Sequence, residues 1–247
     1  MRLVVRLAGA LLLLALIALG ALWWRLDALV AGAIERGASA RLGVETDIRV
    51  LLLRPISGIL SLWTLRIANP PGYDGDFLLV DRAGGELDVS TLRGQVIVVR
   101  EVTLTGVELT LEEKAGGSNY DAIVKNLHRT AAPKTEPAGP SVRVHDLYVR
   151  DIEAHLRLGP APPLTLEIPE IHLHDLGGPD GATTGEITAV VVRALLTSVA
   201  TQAPGVPFAL AGRLLTGLGL SGAADLLRDA GERGLDAARD ALRDLLE

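Results

Sequence analysis

The sequence predicts an α+β fold with an N-terminal transmembrane helix, a curved, mainly antiparallel β-sheet shaped like a groove, and C-terminal amphipathic helices. Three observations lead to this prediction. An uncharged apolar run extends from Leu7 to Trp24. Apolar and polar residues then alternate over two stretches between residues 44 and 173, which is typical of half-buried strands. From Gly185 onward the apolar spacing is helical.

The apolar run is long enough to cross a bilayer, since eighteen helical residues span roughly 27 Å. Arg2 and Arg6 precede the run, which favours a cytoplasmic N-terminus and places the rest of the chain outside the cytoplasm. The alternative is a signal peptide cleaved after Ala18-Leu19-Gly20. We favour an anchor over residues 1–24, because the run exceeds a usual signal segment and continues through two tryptophans without a polar break.

Composition excludes several classes of function. The chain of 247 residues has a formal net charge of -6, whereas nucleic-acid binding requires a clustered basic surface. It contains no cysteine, so a lipoprotein attachment site, a disulfide framework and a thiolate metal site are excluded. Aromatic residues make up only 3% of the chain, and aliphatic side chains must therefore form the core.

The first strand-rich region, residues 25–129, begins with a helical pattern over residues 25–42 that continues the membrane helix outward. Strands follow, separated by Gly, Pro and Asn. The pattern is clearest where Val107, Leu109 and Leu111 share one face and acidic or threonine side chains share the other. The predicted strands are 44–53, 58–68, 77–80, 85–89, 95–99 and 102–112.

A short helix is predicted after this region, with Ser118 and Asp121 as an N-terminal capping pair. Residues 130–140 are rich in Pro and Ala and form a predicted linker. The second strand group, residues 141–184, contains strands at 142–158 and 164–173, the latter broken at Pro169.

The C-terminal region, residues 185–247, is predicted to be helical and amphipathic. One helix has an apolar stripe that also includes Val190, and a second stripe runs from Leu235 to Leu245. The first stripe comprises Ile187, Val190, Val191, Ala194, Leu195 and Val199.

Candidate catalytic and metal-binding groups are sparse. His172 and His174 point to the same side of a strand, and a third metal ligand would come from Glu170, Asp175, His145 or His155. Because no spacing selects one of these four, solvated histidines are the favoured interpretation, and we assign no metal or other cofactor. Neither a nucleophile elbow nor a metalloprotease motif is present in the sequence, and we predict a non-enzymatic protein.

Several ordered segments of residues 1–130 resemble the N-terminal region of the AsmA family. Each segment is short, and the resemblance depends on their order along the chain. The segments are residues 59–70, Gly72-Tyr73, 87–92, 97–106, 107–111 and Gly117-Ser118-Asn119.

The resemblance implies a single-pass inner-membrane protein with its bulk in the periplasm and a role in envelope biogenesis, including phospholipid transport along an apolar groove. The sheet is too short to bridge a periplasm alone, so oligomerisation or an envelope protein partner is implied. The alternative is a scaffold protein without a lipid ligand, whose apolar face is filled by its own C-terminal helices. The side chains expected to contact acyl chains are Val107, Leu109, Leu111, Ile152, Leu156 and Leu166.

Overall fold

An eight-stranded mixed sheet, mostly antiparallel, forms the centre of the computed structural model and carries four helices. The structure describes residues 27–128, 141–160, 162–201, 206 and 208–220. The predicted α+β class is therefore confirmed for this part of the chain. The predicted membrane helix, the linker at 130–140 and the stripe from Leu235 to Leu245 lie outside the described residues.

The elements follow one another along the chain with short connections. Helix α1 covers residues 27–42 in the described part. The strands of the first group are β1 (Thr46–Arg54), β2 (Ile59–Ala68), β3 (Asp76–Leu87), β4 (Val96–Lys114) and β5 (Gly117–Ser118). The remaining elements are α2 (Asn119–His128), β6 (Ser141–Leu158), β7 (Leu164–Ile168), β8 (Ile171–Leu176), α3 (Thr184–Thr201) and α4 (Phe208–Gly217).

The two predicted strand groups join in a single sheet. Its order is β1-β2-β3-β4-β6-β7, with β5 paired to β4 and β8 paired to β6. The pairing of β4 with β6 is parallel, and the other pairings between these strands are antiparallel. Strands β7 and β8 pair with successive parts of β6, which explains why Pro169 interrupts the pattern between them.

Two predicted strand breaks are wrong. Strand β3 runs without interruption through Gly84 and Gly85, and β4 runs through Arg100 and Glu101. At both places the inward side chains are three residues apart instead of two. This change of phase resembles the end of a strand when only the sequence is considered.

The change of phase belongs to a line across the sheet that we call the crease. On either side of it neighbouring strands are paired, as in Val80 with Val107 and Arg82 with Thr105, whereas the residues on the line are skipped. Because every strand carries the same additional residue, the register is kept while the inward set shifts in all five strands. The crease consists of Arg49, Thr64, Asp81, Gly106 and Asp151.

Three residues of the crease adopt left-handed backbone conformations: Thr64 at φ 56°, Gly106 at φ 67° and Asp151 at φ 51°. Such a conformation costs a residue with a side chain roughly 1–2 kcal/mol. At Gly106 a Cβ atom would also lie 2.8 Å from Asp81 Oδ2 and 2.9 Å from Asp81 Cβ. Glycine is therefore required there for two independent reasons.

A second, shorter line of skipped residues crosses β4, β6 and β8 at Arg100, His145 and Asp175. Asp175 is left-handed at φ 47°. In β6 the inward side chains on either side are Val144 and Leu147. Two consecutive residues, His145 and Asp146, therefore stay outside the core.

Helix α1 covers the free edge of β1. Three of its side chains lie four or eight residues apart, on one face of the helix, and accept hydrogen bonds from backbone N–H groups of β1. These groups would otherwise form an open sheet edge. Ser39 Oγ accepts from Thr46 at 2.9 Å, Glu35 Oε1 from Ile48 at 2.8 Å and Asp27 Oδ1 from Leu53 at 2.8 Å.

The core lies between the inward face of the sheet and the helices. The predicted capping pair of α2 is confirmed, because Ser118 Oγ accepts a hydrogen bond from the Asp121 N–H at 3.1 Å. The predicted inward position of Val190 on α3 is wrong, since 42% of this side chain is exposed while Val192 and Leu196 are buried. The buried stripe of α3 therefore lies on a different part of the helix from the predicted one.

We expect Gly106→Ala to lower the free energy of unfolding by about 2–3 kcal/mol, because the left-handed backbone and the close approach of Asp81 both penalise a Cβ atom. Urea unfolding of the full chain in detergent, followed by circular dichroism, measures this. Gly84→Ala is the matched control, since its Cβ meets no atom within 4 Å, and its effect should stay within about 0.5 kcal/mol. Equal unfolding midpoints for the two variants would contradict the role of the crease.

Candidate functional sites on the two faces of the sheet

The six side chains predicted to contact acyl chains lie next to one another on the inward face. The register pairs Val107 with Ile152 and Leu111 with Leu156 across the parallel strands. All six are buried, and the exposed fractions are 0% for Val107, Leu109 and Leu111, 1% for Leu156, 2% for Ile152 and 5% for Leu166.

Helices α2, α3 and α4 cover this part of the inward face. Their apolar side chains belong to the same buried cluster as the six predicted residues. An acyl chain could reach the six only if a helix moved away from the sheet. The buried helical side chains include Tyr120, Ile123 and Leu127 of α2, Val192, Leu196 and Val199 of α3, and Leu210, Leu214 and Leu215 of α4.

Helix α4 is held by both apolar and ionic contacts. Leu210, Leu214 and Leu215 are fully buried, and exposing one such side chain costs about 1.5–3 kcal/mol. Arg213 donates two hydrogen bonds to Glu113 at the end of β4, each at 2.7 Å. The hydrogen bond from Arg213 lowers the pKa of Glu113, so this carboxylate is the form that the clamp stabilises.

The Gly117-Ser118-Asn119 step has a structural role. Asn119 is fully buried, and its Oδ1 accepts a hydrogen bond from the Glu112 N–H at 2.8 Å. Its Nδ2 donates to Thr110 O and to Asn69 Oδ1, both at 2.8 Å. This side chain therefore ties the start of α2 to β4 and to the loop after β2, and its polar groups are already bonded within the protein.

The outward face of the β1–β2 hairpin is apolar and exposed. Val50 pairs with Trp63, and 40% and 38% of these side chains are exposed. In the turn, 83% of Ile56 is exposed. We call this surface the hairpin patch, and it consists of Val50, Leu52, Ile56, Ile59 and Trp63. Sequence reasoning missed the patch because it assigned functional meaning only to the inward side chains.

The hairpin patch lies close to the point where the predicted membrane segment ends. The turn of the hairpin follows Leu53, whose N–H donates to Asp27 Oδ1. Asp27 is three residues after Trp24, the last residue of the apolar run. Exposed Trp and aliphatic side chains bordered by Arg49 and Arg54 are typical of surfaces that contact lipid headgroups.

A cluster of imidazoles and one carboxylate occupies the outward face of β6 and β8. His172 and His174 point to the same side, as predicted, but the group between them is Asp146, which is none of the four predicted ligands. Asp146 is paired with His174 in the register. Its Oδ1 lies 2.9 Å from His172 Nε2 and 3.5 Å from His174 Nδ1. The hydrogen bond with His172 is the main cause that lowers the pKa of Asp146.

The neighbouring charged groups form separate pairs. Arg143 Nη2 lies 3.0 Å from Asp175 Oδ1, and His145 Nδ1 lies 3.4 Å from the same oxygen. Glu170 and His155, two other predicted ligands, lie elsewhere: Glu170 bonds with Arg150 at 2.7 Å, and His155 contacts Thr165 at 3.1 Å. Sequence spacing could not select Asp146, because its position depends on the pairing of β6 with β8.

Among the described helices, α3 is the one that is long and apolar enough to cross a membrane, although half of it is buried inside the protein. No family model, curated protein or solved structure matches the chain. The resemblance to the AsmA family therefore stays a prediction.

The clamp between Arg213 and Glu113 leads to a prediction about pH. Arg213→Gln should lower the free energy of unfolding by about 0.5–1 kcal/mol near neutral pH, since both partners are partly exposed. The folded-state pKa of Glu113 lies below 4.5, so its contribution is present above about pH 4.5 and is lost as the pH falls through the lower folded value. The difference between the two proteins should therefore shrink in acid. A difference that stays constant down to pH 3 would contradict this.

Proposed function

We propose that this chain is a non-enzymatic envelope-biogenesis protein, anchored in the inner membrane by residues 1–24 with its bulk on the periplasmic side. In this proposal the sheet domain is a scaffold beside the bilayer, and its aliphatic face is core. The observation that carries the proposal is the burial of the six inward residues, none more than 5% exposed, beneath the protein's own helices. This is the arrangement that a scaffold requires.

The hairpin patch supports a position against the bilayer. The side-chain bonds from α1 to β1 fix the turn of the hairpin near Asp27, so the exposed Ile56 is held next to the end of the membrane segment. Apolar side chains at that height replace water contacts by contacts with the headgroup region. The sheet would then be held by two attachments, the anchor helix and the hairpin.

The inner-membrane location and the role in envelope biogenesis follow from the resemblance to the AsmA family. An envelope protein partner or a second copy of the chain would be bound by such a scaffold. The net charge of -6 makes nucleic acid an unsuitable ligand.

A second candidate function is the shielding of phospholipid acyl chains on the inward face. It is favoured by the composition of the covered surface, which is almost entirely aliphatic, and by the cover itself, which consists of separate helices. In this case α4 would leave the sheet, break its clamp to Glu113 and be replaced by acyl chains. The acyl chains would then keep the uncovered aliphatic side chains away from water.

A disulfide lock distinguishes the two functions. A Cβ atom at Gly217 of α4 would lie 3.2 Å from Val124 Cγ1 of α2, so Gly217→Cys with Val124→Cys places two thiols within bonding reach. The chain contains no other cysteine. If the scaffold proposal holds, binding of a fluorescent phospholipid by the delipidated full chain should be equally low in the oxidised and reduced double variant.

Binding that is present in the reduced protein and lost after oxidation would overturn the scaffold proposal in favour of acyl-chain shielding. Val124→Cys alone is the control, because it carries the same core change and cannot form the internal bond. Intact-mass analysis measures the extent of oxidation.

The position of the hairpin can be measured by lipid quenching. Trp23→Phe with Trp24→Phe leaves Trp63 as the only tryptophan. In liposomes, lipids brominated near the headgroup should quench its fluorescence more strongly than lipids brominated near the chain ends, because the patch lies at the interface.

The matched control transfers the tryptophan to the other end of the sheet. Leu164→Trp in a chain that also carries Trp23→Phe, Trp24→Phe and Trp63→Phe places an equally exposed side chain, 39% against 38%, away from the hairpin. It should not be quenched. Equal quenching at the two positions would show that the hairpin has no special proximity to lipid.

A further inference from the structure

The outward face of β6 and β8 carries a site-like grouping that the proposed function does not use. Two imidazoles and one carboxylate converge there, and one ligand atom from each of Asp146, His172 and His174 lies within 4.8 Å of the others. Two imidazole nitrogens and a carboxylate oxygen are a common protein ligand set for zinc and related divalent metals.

The spacing suits a single ion. Metal–ligand bonds of about 2.0–2.2 Å in a tetrahedral arrangement place ligand atoms roughly 3.3 Å apart. Asp146 Oδ1 is 2.9 Å from His172 Nε2 and 3.5 Å from His174 Nδ1. Small rotations of the three side chains would therefore admit an ion at the place where they now share hydrogen bonds.

The backbone holds the three residues in place. His172 and His174 are two residues apart on β8, and the register sets Asp146 opposite His174 and Tyr148 opposite His172. The second line of skipped residues keeps Asp146 out of the core. The ring of Tyr148 stacks on His172 with ring centres 4.1 Å apart, which fixes the orientation of that imidazole.

The flanking cations do not occupy this position. Arg143 bonds with Asp175 at 3.0 Å, and Arg150 bonds with Glu170 at 2.7 Å. Within the described residues, each of these two guanidinium groups thus has a carboxylate other than Asp146 close by. The charge of Asp146 remains directed at the two imidazoles.

We propose that Asp146, His172 and His174 bind one divalent transition-metal ion of the zinc class at the surface of the sheet. Three protein ligands leave at least one coordination position for water or for a group from a partner molecule. On binding, each imidazole presents an unprotonated nitrogen to the ion, and any proton on that nitrogen is released to solvent. This site is independent of the inward face and of any lipid function.

Cobalt(II) tests the site, because its visible absorption reports nitrogen and oxygen ligands directly. The full chain in detergent should bind one equivalent, and Zn²⁺ should displace it. His174→Gln and Asp146→Asn should each weaken binding at least tenfold, whereas His155→Gln, an outward histidine on the same sheet, should leave it unchanged. Failure to saturate at one equivalent, or equal binding by all three variants, would overturn the proposal.

A second measurement uses the unmodified protein and does not depend on the folding of variants. Zn²⁺ should protect His172 and His174 from diethylpyrocarbonate, as measured by peptide mass spectrometry, and should leave the modification of His155 unchanged. Equal modification of the three histidines with and without Zn²⁺ would also overturn the proposal. Neither measurement involves lipid, so its outcome is distinct from that of the disulfide lock.

Discussion

The parallel pairing of β4 with β6 is the interaction on which the rest of the structure depends. It extends from Val96 with Ser141 to Glu113 with Leu158, and it joins the hairpins before it to the short strands after it. A parallel pair needs a crossover that returns the chain to the starting end of the sheet. The first part of that crossover is α2, which passes over the inward face. The pairing therefore brings the first covering helix to the sheet as well as joining the strands.

The arrangement of the inward face follows from this pairing. Val107 and Ile152 lie side by side, although they are far apart in the sequence. Helices α3 and α4 complete the cover that α2 begins, and the clamp at Glu113 fixes the last of them to the end of β4. The aliphatic surface is thus distributed over both strand groups and is buried only when they are combined. Neither group alone could form it.

The sequence predicted the class of fold, most of the strands and the capped helix at Asn119, because each depends on local periodicity or on a local hydrogen bond. It did not predict the continuity of β3 and β4, since the change of phase at Asp81 and at Arg100 imitates a strand end. A signal was nevertheless present: two residues separate inward apolar positions in several strands, as in Leu104-Thr-Gly-Val107. Asp146 and the hairpin patch were missed for a different reason. Both depend on which strands are neighbours and on which face is covered, and periodicity within one strand does not determine these.

The crease also limits how this protein could have changed over evolutionary time. Deleting Gly106 alone would turn every inward side chain on one half of β4 outward, because side chains alternate between the two faces. Its neighbours β3 and β6 would keep their own additional residues, Asp81 and Asp151, and would no longer match it. A sheet without the crease could be reached only by matched deletions in five strands. Loops between the strands are free of this restriction, so we expect lineages of this fold to differ in loop length while the five strands keep their lengths together.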